Sequence, residues 1–136
     1  MKDCIFCKII NGEIPTVKIY EDENFLVIES LGQSSKGHSL IIPKEHSKNI
    51  LEMKTNNGSK LLDLIKKIGD ASIKGLKADG FNVGINTNSA AGQVIMHTHI
   101  HIIPRYEKDG LNSWKEKQVS EEDRLIFAEK IIKELE

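Results

Sequence analysis

The chain has 136 residues, a formal net charge of −1, 39% hydrophobic residues and two cysteines. That length fits one domain with a proper core, and the apolar content argues against disorder. With near-neutral charge, no long Lys/Arg run and no apolar run near the roughly 18 residues of a membrane span, neither a nucleic-acid polymer nor a membrane is an expected partner.

The opening Met-Lys-Asp-Cys carries no apolar leader pattern, so we expect a soluble cytoplasmic protein, where a disulfide scaffold is not expected. Cys4-Ile-Phe-Cys7 places two thiols at zinc-like spacing. Three readings stand: half of a Cys2His2 metal site, a thioredoxin-like redox pair, or two small buried residues in a helical turn. Lys8 to Asn11 completes a short helix that Gly12 and Pro15 stop. Val17 to Tyr20 and Phe25 to Ser30 alternate as strands, with Glu21 to Asn24 as a hairpin turn. Leu31 to Gly37 is a loop. His38-Ser-Leu-Ile-Ile-Pro43 is a further strand ended by proline, with Lys44-Glu45-His46 beyond it. His38 is either an active-site group or an ordinary exposed histidine.

Ser59 to Gly75 carries apolar residues at 61, 62, 64, 65, 68, 71 and 73, the period of a helix packed on a core. Phe81 to Asn86 reads as a strand. Asn86 to Gln93 follows, with small, turn-prone residues. Such a backbone can approach a ligand and aim N–H groups at a phosphate; the plain alternative is a turn between strands.

Val94 to Pro104 holds three of the five histidines, at 97, 99 and 101, among β-branched and apolar residues. It reads as a strand whose central part Pro104 ends, because proline cannot donate to a ladder. Alternation puts His97, His99 and His101 on one face and Thr98, Ile100 and Ile102 on the other. At about 3.3 Å per residue, neighbouring histidines start roughly 6.6 Å apart and the outer pair roughly 13 Å apart. With Zn–N bonds of about 2.0 Å, the outer pair does not share one metal, so the two ends of the row serve different purposes.

Three imidazoles on one face are costly as mere packing, since burial must satisfy each ring nitrogen. A catalytic metal held by His99 and His101 needs a third protein ligand, and few acidic residues lie nearby. The reading the residues favour is nucleophilic catalysis on a phosphate. His99 attacks phosphorus and a neighbouring histidine handles the leaving-group proton. Imidazolium and loop amides offset the phosphate charge without Mg²⁺. Beyond Pro104, residues 105–119 are polar and irregular; they include Trp114, placed to lie over the site or across a partner subunit. Ser120-Glu-Glu-Asp123 has the look of a helix N-terminus. Leu125, Ala128, Ile131, Ile132 and Leu135 then give an amphipathic C-terminal helix, expected to pack on the domain.

The segment His97-Thr-His99-Ile-His101-Ile-Ile resembles the histidine-triad (HIT) motif His-φ-His-φ-His-φ-φ, where φ is apolar. His38 in Gly-His-Ser-Leu-Ile-Ile-Pro-Lys, Asn86 and Ala91-Gly92-Gln93 extend the likeness, which runs from Cys4 to about Tyr106. Cys4-Ile-Phe-Cys-Lys-Ile-Ile and His-Ile-Ile-Pro-Arg-Tyr are similar to the bacterial Hit branch, close to the Hint nucleoside phosphoramidases. The resemblance implies an α+β, HIT-like fold in a single domain over residues 1–136. Its parts are an antiparallel sheet with one main packing helix, a short N-terminal helix, and a tail plus helix from about 107. It also implies a homodimer whose sheets join.

For activity, the resemblance implies hydrolysis or transfer at the α-phosphorus of a nucleoside 5′-phosphoramidate or dinucleoside polyphosphate. The ligand class is then a purine nucleotide such as AMP or an AMP conjugate. His99 resembles the nucleophile that becomes nucleotidylated, His101 the group that touches phosphate and assists the leaving group, and His38 a fourth active-site histidine. His97 completes the catalytic set. Asn86, Gly92, Gln93 and Val94, with His99 and His101, fall where the family holds nucleotide. In zinc-bearing members the ligands match Cys4, Cys7, His46 and His97, a structural Zn²⁺ site. Two departures bear on substrate. Val94 stands where Hint-type members carry a serine, and Ser30 where an aspartate holds the ribose; Glu29, adjacent, is expected to face the other side of its strand. A nucleotide-binding or scaffold protein with little turnover is the alternative function.

Overall fold

A computed structural model describes residues 3–112 and 114–135. Cys4 Sγ accepts the Cys7 N–H at 3.4 Å and caps helix α1, Ile5–Ile10. Gly12, at φ 78°, turns the chain away in a conformation that suits glycine. Strands β1, Lys18–Glu21, and β2, Phe25–Glu29, form the first hairpin. Its turn is built on Asp22, whose carboxylate accepts the N–H groups of Asn24 and Phe25, both at 2.8 Å. Strand β3, Ser39–Pro43, pairs with β2 from Phe25↔Pro43 to Glu29↔Ser39. Helix α2, Gly58–Leu76, then leads to β4, Gly80–Gly84, and β5, Ile100–Arg105. The five strands form one antiparallel sheet in the order β1-β2-β3-β5-β4.

Both faces of the central strands are covered, so β2 is a continuous apolar run instead of the alternating strand expected, and β3 is buried throughout. On one face Phe25, Val27, Ile41, Ile100 and Ile102 pack with Leu64 and Ile68 of α2. On the other, Leu26, Ile28, Leu40 and Ile42 pack with Phe6 of α1. The class is α+β, with α2 as the main packing helix. Gly69 lets α2 close on the sheet: a Cβ there would lie 2.2 Å from Phe81 Cζ. Gly69→Ala forces that ring aside and is expected to cost about 1–3 kcal/mol, read as a lower urea midpoint. An unchanged midpoint would mean that the ring yields freely.

One expectation is corrected. Residues 94–104 do not form one strand: 94–99 approach the sheet as irregular chain, and β5 begins at Ile100. The part of β5 paired on both sides does end ahead of Pro104, as expected, and the strand runs on against β4 alone through Pro104↔Phe81 to Arg105. The reason is one-sidedness. β3 stops pairing with β5 at Ile102, so Pro104 sits where only β4 borders the strand, and its missing N–H breaks no β3 bond.

The C-terminal helix α3, Glu121–Leu135, starts where expected, with Ser120 Oγ accepting the Asp123 N–H at 3.1 Å. It does not pack on the domain. Every described side chain of α3 is exposed, including Leu125, Phe127, Ile131 and Leu135, and the irregular stretch before it does not return the helix to the sheet. Ser113, within that stretch, lies outside the described residues. Among the described residues no helix is long and apolar enough to cross a membrane.

Candidate active site

The irregular segment 94–99 is anchored before it delivers the histidines. Thr98 donates its N–H to Ser47 O at 2.8 Å, and the two hydroxyls meet at 2.6 Å. Thr98 is buried, so this polar pair closes the far side of the segment. Alternation persists without a ladder. His97 and His99 both face α1, with ring centroids 5.8 and 5.0 Å from Phe6, and His101 lies 5.0 Å beyond His99.

Each ring is oriented by one partner. The Nδ1 of His99 lies 2.8 Å from His97 O. A carbonyl only accepts, so Nδ1 carries the proton and Nε2 keeps the lone pair a nucleophile needs. His97 Nε2 lies 2.7 Å from Pro43 O, so its Nδ1 is the bare nitrogen. That nitrogen points into a cluster of cysteine and histidine side chains. It lies 3.3 Å from Cys4 Sγ, 3.6 Å from Cys7 Sγ and 3.0 Å from His46 Nδ1, while Cys7 Sγ lies 3.4 Å from His46 Nδ1.

Those four side chains fit a metal ion. Their ligand atoms all lie within 4.8 Å of one another. Tetrahedral zinc with Zn–N of about 2.0 Å and Zn–S of about 2.3 Å separates its ligands by roughly 3.3–3.8 Å, close to the spacings found here. Burial, then the neighbouring Cys4, raises the Cys7 thiol, so Cys7 does not ionise readily by itself. A divalent cation held there would supply the missing charge and bind the cysteines as thiolates. His99 and His101 are not in the cluster, so the two ends of the histidine row face different neighbours.

At the other end, His101 on β5 faces the chain entering β3. Its Nδ1 lies 2.9 Å from His38 Nε2. The His101 Nε2 is buried and has no protein partner among the described residues. Burial, reinforced by His99 and His38, pushes His101 down to about 4, and burial also lowers His38. Both imidazoles are therefore neutral at pH 7. His38 and His101 line a cavity of about 410 Å³ shared with Ser34, Asn86, Arg105 and Trp114. Trp114 is itself 93% exposed.

The loop between β4 and β5 takes a shape its sequence only hinted at. Asn86 donates weakly to Gly92 O at 3.4 Å, and Gly92 has φ 92°, which a side chain would strain. Gln93 is buried, and its amide is spent on the loop itself. It donates to Lys48 O at 2.7 Å and Ile95 O at 3.1 Å, and accepts the Asn88 N–H at 2.9 Å. Asn88 sits at φ 70°, ψ 160°, a conformation rare outside glycine, and strain of that kind gathers at functional loops. Val94 is 87% exposed. Ser30 Oγ is turned to Gly32 O at 2.8 Å, and Glu29 accepts from Gln33.

Sequence reasoning did not single out Phe6, Gln33, Ser34 or Asn88. Phe6 stood between the two cysteines and was open to notice. Nothing local marked the other three, because their importance rests on which loop atoms they meet.

Residues 11–108 match the model of the HIT domain family. An adenylylsulfatase, HINT3, of Arabidopsis thaliana is 48% identical over 109 residues, 80% of this chain and 55% of its own length. The chain thus spans about half the length of that relative. An adenosine 5′-monophosphoramidase, hnt1, of Schizosaccharomyces pombe is 37% identical over 130 residues, covering 94% of this chain and 95% of its own. The crystal structure of a zinc-bound histidine triad family protein from Mycobacterium smegmatis superposes with TM-score 0.78 at 36% identity. It covers 93% of this chain and 92% of its own.

Proposed function

The chain belongs to the HIT family, and from that premise we propose that it hydrolyses an adenylyl conjugate at its α-phosphorus through a nucleotidyl-His99 intermediate. The observation that carries this reading is the His99 Nδ1–H···O=C bond to His97, which fixes the tautomer with Nε2 free to attack. Nε2 forms a bond to phosphorus as the bond to the leaving group breaks. The departing atom accepts a hydrogen bond from the buried, otherwise unpartnered His101 Nε2–H and takes its proton from solvent, which receives one back when water attacks in the second step. Water then attacks the same phosphorus, His99 leaves as neutral imidazole, and the nucleoside 5′-phosphate departs. Asn86 shares the cavity with His101, and we assign it and the Gly92 turn to the phosphate oxygens. Gln93 holds that loop in shape.

The relatives named for adenylylsulfate and adenosine phosphoramidate support an adenylyl group as the transferred unit. The test is release of AMP from adenosine 5′-phosphoramidate, adenylylsulfate and a dinucleoside polyphosphate. Turnover of at least one supports the reading; tight binding with no turnover of any supports the second. That second reading, a nucleotide-binding protein with little hydrolysis, is favoured by Val94, whose side chain cannot donate to a departing oxygen or nitrogen. Val94→Ser is expected to raise kcat on the phosphoramidate about tenfold by adding that donor, measured at saturating substrate.

Cys4, Cys7, His46 and His97 are proposed to hold one structural zinc, supported by their geometry and by the zinc-bound relative. Held there, an ion would fix α1 against the triad segment and leave the chemistry to His99 and His101. A homodimer is also proposed. The edge strand β4 and the exposed apolar side chains of α3 are surfaces such pairing would cover, and gel filtration of the full chain measures it.

A further inference from the structure

The loop between β2 and β3 ends at His38 and reaches into the chemistry through it. Gln33 staples this loop to its own ends. Its amide nitrogen donates to Glu29 Oε2 at 2.7 Å, Ser30 O at 2.9 Å and His38 O at 3.1 Å, and its oxygen accepts the Gly37 N–H at 2.9 Å. Three acceptors on one side and a donor on the other fix which end of the amide is which.

The stapled loop aims the Ser34 N–H at His38 Nδ1, 3.0 Å away. A backbone N–H only donates, so His38 Nδ1 is a bare lone pair and the neutral ring carries its proton on Nε2. That proton points at His101 Nδ1, 2.9 Å away, which must then accept. His101 is left protonated on Nε2, the buried atom with no protein partner among the described residues. The opposite tautomer would set a lone pair against an approaching phosphate oxygen. A main-chain amide two hydrogen bonds away thus decides whether His101 donates to substrate or repels it.

We propose that Gln33 is a positioning residue which, through the Ser34 amide and His38, locks His101 in its Nε2–H tautomer. This rests on the hydrolase reading, since the tautomer matters only where His101 meets a phosphate or a leaving group. The loop has other closures. Ser30 donates to His38 O at 2.8 Å, His38 to Ser35 O at 3.0 Å and Tyr106 Oη to Lys36 O at 3.3 Å. Removing the Gln33 amide therefore loosens the aim of Ser34 and leaves the fold standing.

The experiment is ¹⁵N NMR of histidine-labelled, metal-loaded protein at pH 7 without substrate. His38 and His101 are expected to show a bare Nδ1 and a protonated Nε2. A protonated Nδ1 on either ring overturns the proposal and leaves the hydrolase reading untouched, since no turnover enters the measurement. Conversely, the expected tautomers in a protein that turns over no adenylyl substrate would contradict the hydrolase reading alone. In Gln33→Ala, and in Gln33→Met, which keeps the volume, His101 becomes a mixture of tautomers. There kcat falls about tenfold, while KM shifts less than about twofold. Unchanged tautomers in both variants overturn the role of Gln33, whatever kcat does.

Discussion

His99→Ala abolishes turnover, with kcat down by at least about 10⁴-fold, and leaves the fold intact. The size of the effect follows from covalent catalysis. Without an imidazole Nε2 at that position no nucleotidyl intermediate forms, and direct attack by water lacks an oriented nucleophile. His101 cannot take over. Its Nδ1 is turned to His38 at 2.9 Å and its buried Nε2 is the expected donor, so neither nitrogen offers a lone pair to phosphorus. The fold survives because His99 belongs to neither apolar core, and its segment is held by the neighbouring Thr98–Ser47 bonds. Circular dichroism and a melting curve close to the parent's, alongside the lost rate, check both halves. A variant that keeps near-normal rates would remove His99 from the mechanism.

Stripping the metal is expected to lower the melting temperature by about 10 °C, from a loss near 3 kcal/mol, while activity assayed well below the new midpoint falls less than about tenfold. The ion would tie together three distant pieces: α1 through Cys4 and Cys7, the chain after β3 through His46, and the triad segment through His97. Holding such long loops closed is where a cross-link has most to contribute. The metal-free cluster has two thiols beside two imidazoles, with Cys7 resisting ionisation, so nothing replaces the lost bonds. The sign with pH follows: metal must displace thiol protons, so affinity weakens as pH falls. Chelation that stops turnover while leaving the melting curve unchanged would instead mark a catalytic metal.

Much of this site was legible in the chain because it rests on short-range pattern. The period of two in His97, His99 and His101 placed all three on one face, and that held although 94–99 is not a strand. The spacing of Cys4 and Cys7 left metal ligation, a redox pair and plain burial open, and HIT likeness pointed to His46 and His97, which the structure brings beside them. Elsewhere local rules met tertiary structure. β2 is a continuous apolar run, where alternation was expected, because both its faces are covered. Pro104 sits inside β5 because β3 has already stopped pairing there, which depends on strand order and not on proline. The apolar spacing of α3 shows a face but not what covers it. Gln93 reads as a ligand group, yet its amide is consumed by Lys48, Ile95 and Asn88. The tautomer of His38 depends on one loop amide, which no residue type announces.

The central claim is the covalent one, and intact-protein mass spectrometry tests it most directly. The protein is quenched in acid-free denaturant while turning over adenosine 5′-phosphoramidate. The mechanism predicts a species heavier by one adenylyl group, mapped to the peptide containing His99 and missing from His99→Ala. Steady AMP release with no such species, even with a substrate whose slow second step should let the adduct accumulate, would contradict the nucleotidyl-His99 intermediate and point to direct attack by water.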